Sequence, residues 1–284
     1  APYAGLIEYK TGLRDRAGAM PPWYMEKDIG IQDYKDDPSL NDEELAAIST
    51  WARTGTPKGD IADAPEPLVF DDSIKWRAGE PDLVVVMDDI TKLAGTADWW
   101  GEIPSAPTGL TEDRYVKSVE VIEVNDVPSA GTGRETVGGR YIFHHMIWAT
   151  AQMDENGERV PGLSIPWPVH EVGRNADIFD EEAGRLLKAG SWIVSDSVHL
   201  HSNGVDTVGH LEVGFRFHDK DYKPKYQNAF IGLGNGVDIS IQGGKKDQEL
   251  HAYTVLEQHT KVITFEPHLH LSLIHISEPT RHHV

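Results

Sequence analysis

From about residue 80 onward, apolar and polar positions alternate or cluster in short runs, which is the pattern of β-strands. The runs are Leu83 to Met87, Tyr115 to Val124, Tyr141 to Ala151, Ser191 to Leu200, His210 to Phe217, Phe230 to Leu233, Val237 to Ile241, Leu250 to Val255 and Lys261 to Phe265. Turn chemistry separates them, including Asp154-Glu155-Asn156-Gly157 and Gly234-Asn235-Gly236. Many short strands without intervening helices predict a mainly β fold, an antiparallel sandwich or jelly roll. Asp180 to Leu187 is the exception in this part and predicts a short peripheral helix. No repeat of solenoid period is visible.

Residues 1 to 58 carry the helical signal instead. Ser39-Leu40-Asn41-Asp42-Glu43-Glu44 supplies capping residues and first-turn acids. Leu45, Ile48 and Trp51 follow at helical spacing, and Gly55-Thr56-Pro57 stops the pattern, giving one amphipathic helix of about three turns. Ahead of it, Gly18-Ala19-Met20-Pro21-Pro22-Trp23 is a proline-stiffened loop presenting a thioether. Residues 59 to 80 read as a linker rich in Pro, Asp and Ala, with Pro65 and Pro67 inside it and Pro81 at its end blocking regular structure.

The 284 residues leave room for about two domains, each large enough to bury a core. Lys+Arg of 26 against Asp+Glu of 46 gives a net charge of −20, a field that repels phosphate backbones and anionic membranes. Nucleic acid is therefore excluded as an expected partner. With no cysteine, the chain has no disulfide, thiolate nucleophile, Cys-type zinc site or covalent haem attachment, and redox chemistry says nothing of its compartment. No apolar run approaches the roughly 20 residues of a membrane helix, and no signal-like segment opens the chain. Because the sequence begins at Ala1, its true start is expected to lie upstream.

Three histidine pairs carry the candidate chemistry: His144-His145 within Tyr141 to Trp148, His199-Leu200-His201, and His268-Leu269-His270. Each lies in an apolar, β-branched setting where an imidazole without a partner is costly. Residues i and i+2 of a strand share a face, so the two HxH pairs can present rings side by side. Adjacent residues point to opposite faces, so His144 and His145 can share one metal only where the strand bulges or ends, or where they use different nitrogens. All-imidazole ligation suits copper, zinc, iron or nickel, and a thioether nearby would favour copper. Glu171, Asp196 and Glu212 keep a two-histidine, one-carboxylate iron site open. A metal-free sandwich whose imidazoles bond to backbone and carboxylates also stays open. No HExxH, nucleophile elbow or phosphate loop is present, and Gly138-Gly139 and Gly243-Gly244 read as turns.

The ordered set HHM, then HxH and a polar turn, then PHxH, with KAGSWIVSDSVHLHSNG leading into the second pair, resembles the copper type II, ascorbate-dependent monooxygenases. That is the family of peptidylglycine α-hydroxylating monooxygenase and dopamine β-monooxygenase. The resemblance covers about residues 80 to 270 and is strongest to bacterial members fused behind a cytochrome c domain. It implies that His144, His145 and His199 hold a first, electron-transferring copper, with His201 flanking. It further implies that His268 and His270 belong to a second copper, where oxygen binds and substrate is hydroxylated. The family's second site also uses a downstream methionine, which this sequence lacks, so that site is expected to be incomplete. Likewise MPPW, an acidic spacer and SLNDEELAAISTWARTGTPKGD resemble the C-terminal half of a small class I cytochrome c, which makes Met20 the distal haem ligand. Plain core packing of Met20 and Trp23 is the alternative. The family's CxxCH is absent, so haem c is expected only in a full-length parent.

The implied organisation is a cytochrome c-like remnant over 1–58, the linker 59–80, a first jelly-roll-type sandwich over 81–224 and the start of a second over 225–270. The boundary falls near Tyr222-Lys223-Pro224-Lys225. Leu271 to Arg281 looks like the translation of a sequencing adaptor, so 271–284, with His275, His282 and His283, is expected to have no function. The resemblance implies a parent that hydroxylates an aliphatic C–H of a small-molecule or peptide-like substrate with O2. Electrons would come from the cytochrome or ascorbate, outside the cytoplasm in a periplasmic or secreted setting. The chain as it stands is expected to be inactive. A non-catalytic copper-binding or electron-transfer module is the second reading.

Overall fold

Two six-stranded antiparallel sheets dominate the computed structural model, which describes residues 40–66, 75–128, 137–173, 175–232, 242–246, 248 and 254–263. The chain divides into two units, Ala1–Asp71 and Asp72–Val284, and the division falls inside the expected linker. In the first unit, α1 (Asp42–Arg53) begins at a capping box. There the Glu44 amide donates to Asn41 Oδ1 at 2.9 Å and the Asn41 amide to Glu44 Oε2 at 2.8 Å. Past its end, Gly55 takes a left-handed φ of 96°, and Trp51 Nε1 donates to the Pro57 carbonyl at 3.1 Å. Met20 lies outside the described residues.

In the second unit, one sheet runs β1 (Leu83–Val86), β12 (Thr207–Phe217), β5 (Arg114–Asn125) and β10 (Arg185–Leu187), with β2 (Ile90–Lys92) on β12 and β9 (Ala176–Ile178) on β5. The other runs β3 (Trp99–Gly101), β11 (Trp192–Leu200), β6 (Phe143–Met153) and β7 (Arg159–Pro166), with β4 (Ala106–Pro107) on β11 and β8 (His170–Glu171) on β6. The pair β5–β12 of the first sheet encloses the pair β6–β11 of the second in sequence, so each long connection steps from one sheet to the other. A one-turn helix, α2 (Val137–Arg140), precedes β6.

Alternation on the long strands sends one row from each sheet into a single core. Val119, Val121, Leu211, Val213 and Phe215 meet Met146, Trp148, Ile193, Val198 and Leu200 there. Burying each such Val, Leu or Phe contributes about 1.5–3 kcal/mol relative to exposure. Trp148 lies 5.6 Å from Trp167 and 6.3 Å from Phe215, ring centre to ring centre. Both indoles are satisfied: Trp148 Nε1 donates to the Pro168 carbonyl at 2.8 Å and Trp167 Nε1 to Thr150 Oγ1 at 2.9 Å. The result is a sandwich-like, mainly β unit.

Two expectations need correction. Asp180 to Leu187 is a turn followed by a strand, with no helix. The Ala183 amide donates to the Asp180 carbonyl at 2.9 Å and the Glu182 amide to Asp180 Oδ1 at 2.9 Å, after which Arg185–Leu187 pairs with β5. The segment is too short to repay helix nucleation, and β5 offers an unpaired edge that buries Leu187 completely. Further on, the described residues of Phe230 to Leu233, Leu250 to Val255 and Lys261 to Phe265 are not in strands, and Val237 to Ile241 lies outside the described residues. Phe230, Val255 and Val262 are well exposed, and an apolar run with no neighbouring strand has no ladder to join. Among the described residues no helix is long and apolar enough to cross a membrane.

Candidate metal centre

The pairing of β6 with β11 contains the local irregularity that makes the site. Val198 faces Met146 and His199 faces His145, but Leu200 faces Phe143, so β6 spends one extra residue, His144. Phe143 and Met146 are three apart and would point to opposite faces of an uninterrupted strand, yet both belong to the core. The extra residue of this β-bulge reconciles them and lets the adjacent His144 and His145 both leave on the face away from the core. His199 leaves on that face too, because it sits between the core residues Val198 and Leu200. Register then sets a row across four strands: Trp100 on β3, His199 on β11, His145 on β6 and Glu171 on β8.

His144, His145 and His199 each offer a ring nitrogen, and the three atoms lie within 4.8 Å of one another. Ring centres are 5.2 Å apart for His144 and His145, 4.9 Å for His144 and His199, and 5.1 Å for His145 and His199. His145 and His199 are buried and His144 is half-buried. Asp98 Oδ2 lies 2.9 Å from His199 Nε2. A carboxylate only accepts, so the bonding proton belongs to Nε2, and Nδ1 keeps its lone pair. His199 Nδ1 and His144 Nδ1 are both buried and have no hydrogen-bond partner among the described residues. Trp100 stacks on the His199 ring at 3.8 Å and 8°, and meets His145 edge-on at 5.2 Å.

Burial, then the neighbouring His199 and His201, hold His144 below the usual imidazole range. Burial also lowers His199, although Asp98 pulls the other way. Two of the three rings therefore prefer their neutral form, which is the form that binds a metal. A set of three converging imidazoles fits copper, zinc, iron or nickel and does not fit the oxygen-seeking calcium or magnesium. No known protein family, curated protein or solved structure matches the chain. The chemistry of the centre therefore rests on its own residues.

Other candidates divide clearly. His201 Nε2 lies 3.0 Å from the Tyr141 carbonyl, and its ring is 5.2 Å from His144 and 6.3 Å from His199, so it flanks the cluster without joining it. Glu171 stands beside His145 in the row, and the Val172 amide donates to the His144 carbonyl at 2.9 Å. Asp196 is engaged by Arg159, and Glu212 pairs with Lys75 at 2.6 Å and with His210 at 3.8 Å. Met146, the methionine of HHM, is fully buried in the core on the opposite face. His268 and His270 lie outside the described residues. Sequence reasoning passed over Trp100 on β3 and Asp98 just before it; Asp98 is separated from His199 by 101 positions.

Proposed function

We propose that His144, His145 and His199 hold one copper ion, as the electron-storing centre of a copper type II monooxygenase-like protein. The observation that carries this is the convergence of the three imidazole nitrogens within 4.8 Å, reached through a bulge that turns two adjacent histidines to one face. Among divalent first-row metals, copper binds such nitrogen donors most tightly. Copper held there would supply reversible one-electron chemistry. The chain's own part is to favour the neutral form of His144 and His199, to pack Trp100 against His199 and His145, and to bury most of the centre. The nested pairing of β5–β12 around β6–β11 supports a jelly-roll-type sandwich.

In the wider reading, a second centre at His268 and His270 belongs to a longer parent that hydroxylates an aliphatic C–H with O2. A cytochrome c domain around Met20, or ascorbate, would feed it electrons outside the cytoplasm. Reconstitution with Cu(II), followed by metal analysis and electron paramagnetic resonance, tests the first centre on this chain. A single tightly held copper is expected in the wild type, with loss of its signal in both His144→Ala and His199→Ala. A wild-type chain that retains no copper after desalting would overturn the proposal.

A further inference from the structure

Resting on that copper reading, we infer that Asp98 is the positioning residue of the centre, holding the His199 proton on Nε2 so that Nδ1 is the ligand atom. A neutral imidazole has two tautomers and can turn about its bond to the backbone, so a strand position alone does not decide which nitrogen faces the other two rings. Three observations decide it here. Asp98 Oδ2 stands 2.9 Å from Nε2. Nδ1 is buried without a hydrogen-bond partner among the described residues, a costly state for a lone pair to which nothing donates. Trp100, two residues along from Asp98, covers the ring face at 3.8 Å and 8°. One short segment, Asp98 to Trp100, therefore grips both the edge and the face of the imidazole. Ligating histidines generally give their second N–H to a carboxylate in this way, which fixes tautomer and orientation and raises basicity. A negative charge there favours the divalent over the monovalent ion.

Asp98 is largely solvent-exposed, with 57% of its side chain accessible, so replacing it disturbs the site and leaves the core intact. Cu(II) affinity and resonance spectra of D98A and D98N, with reduction potentials, test the inference. D98A is expected to lose affinity about 10- to 100-fold and to change the Cu(II) hyperfine pattern. D98N keeps an oxygen acceptor for Nε2–H, so it is expected to recover most of that affinity while raising the potential through the lost charge. D98A binding Cu(II) like the wild type with an unchanged spectrum would overturn the inference alone. Equal losses in D98N and D98A would overturn it too, because charge and not orientation would then be responsible. A wild-type chain without copper would overturn the metal reading and this inference with it.

Discussion

His170 and His145 sit on neighbouring strands, yet their surroundings give them opposite roles. His170 is paired with Met146, a core residue, so it faces inward, 5% exposed, on the side of the sheet opposite the histidine cluster. Burial alone pushes its imidazole down to about 4, and its Nδ1 has no hydrogen-bond partner among the described residues. In the unfolded chain the same ring titrates near 6.5. Above that value it is neutral in both states and adds no pH dependence. As pH falls from about 6.5 toward about 4, the unfolded state takes up a proton that the folded state refuses, and stability drops. The ceiling on that loss is about 3 kcal/mol at roughly 1.4 kcal/mol per unit. His144 and His199 are also lowered by burial and add a slope of the same sign. The informative quantity is therefore the difference between the metal-free wild type and His170→Leu in urea unfolding at about pH 7 and about pH 5. The variant is expected to lose much less stability across that interval. Identical slopes would show that His170 does not carry the effect.

Glu123 connects the two sheets at the element that matters most for the site. Its carboxylate, on β5, accepts from the amides of Ile142 at 3.0 Å and Phe143 at 2.9 Å and from Asn125 Nδ2 at 2.5 Å. The first of those amides opens the approach to β6 and the second is its first residue, one position before the bulge at His144. Burial raises the Glu123 carboxyl above its ordinary range, with these donors pulling back toward ionisation. Glu123→Ala strands two amides, which is expected to cost about 3 kcal/mol and to weaken copper binding by letting the bulge move. Glu123→Gln keeps an acceptor and is expected to do less on both counts. Copper titration alongside thermal unfolding checks this; an Ala variant that is destabilised but binds copper normally would uncouple the bulge from Glu123. The long strands β5, β6, β11 and β12 were legible in the sequence because each carries a long run of alternating or clustered apolar positions. Strands of two or three residues, such as β3 and β8, have too few positions to show any period. Asp180 to Leu187 misled for a related reason: acids ahead of Leu186 and Leu187 suit a helix start, and only the free edge of β5 makes the strand preferable. At the site, the demand for a bulge could be read from HH in a strand. That His144 is the extra residue depends on how β11 pairs, which no single-strand pattern contains. Asp98 and Trp100 were illegible because register, not spacing, brings them to His199.

For the whole molecule, the proposed metal would bridge β6 and β11 and so become part of the folding equilibrium. A ligand bound only by the native state stabilises it by RT ln(1 + [L]/Kd), about 2.7 kcal/mol at a hundredfold excess over Kd. Two global properties modify that figure in opposite directions. The net charge of −20 concentrates cations around the chain and speeds capture of a divalent ion, an effect that fades as salt rises. The chain also contains 14 histidines, which bind copper in the unfolded state and reduce the apparent gain. Copper should therefore be added near one equivalent, where the tight native site fills and the weak unfolded-state sites do not. Under that condition the wild-type melting temperature is expected to rise, and His199→Ala is expected to show no rise because one strand of the bridge has lost its ligand. Asp98→Ala should fall between them, since it keeps all three imidazoles but not the orientation of one. Differential scanning calorimetry with and without copper separates the three cases. An equal rise in His199→Ala would mean that the stabilising copper sits elsewhere, and the β6–β11 centre would have to be given up.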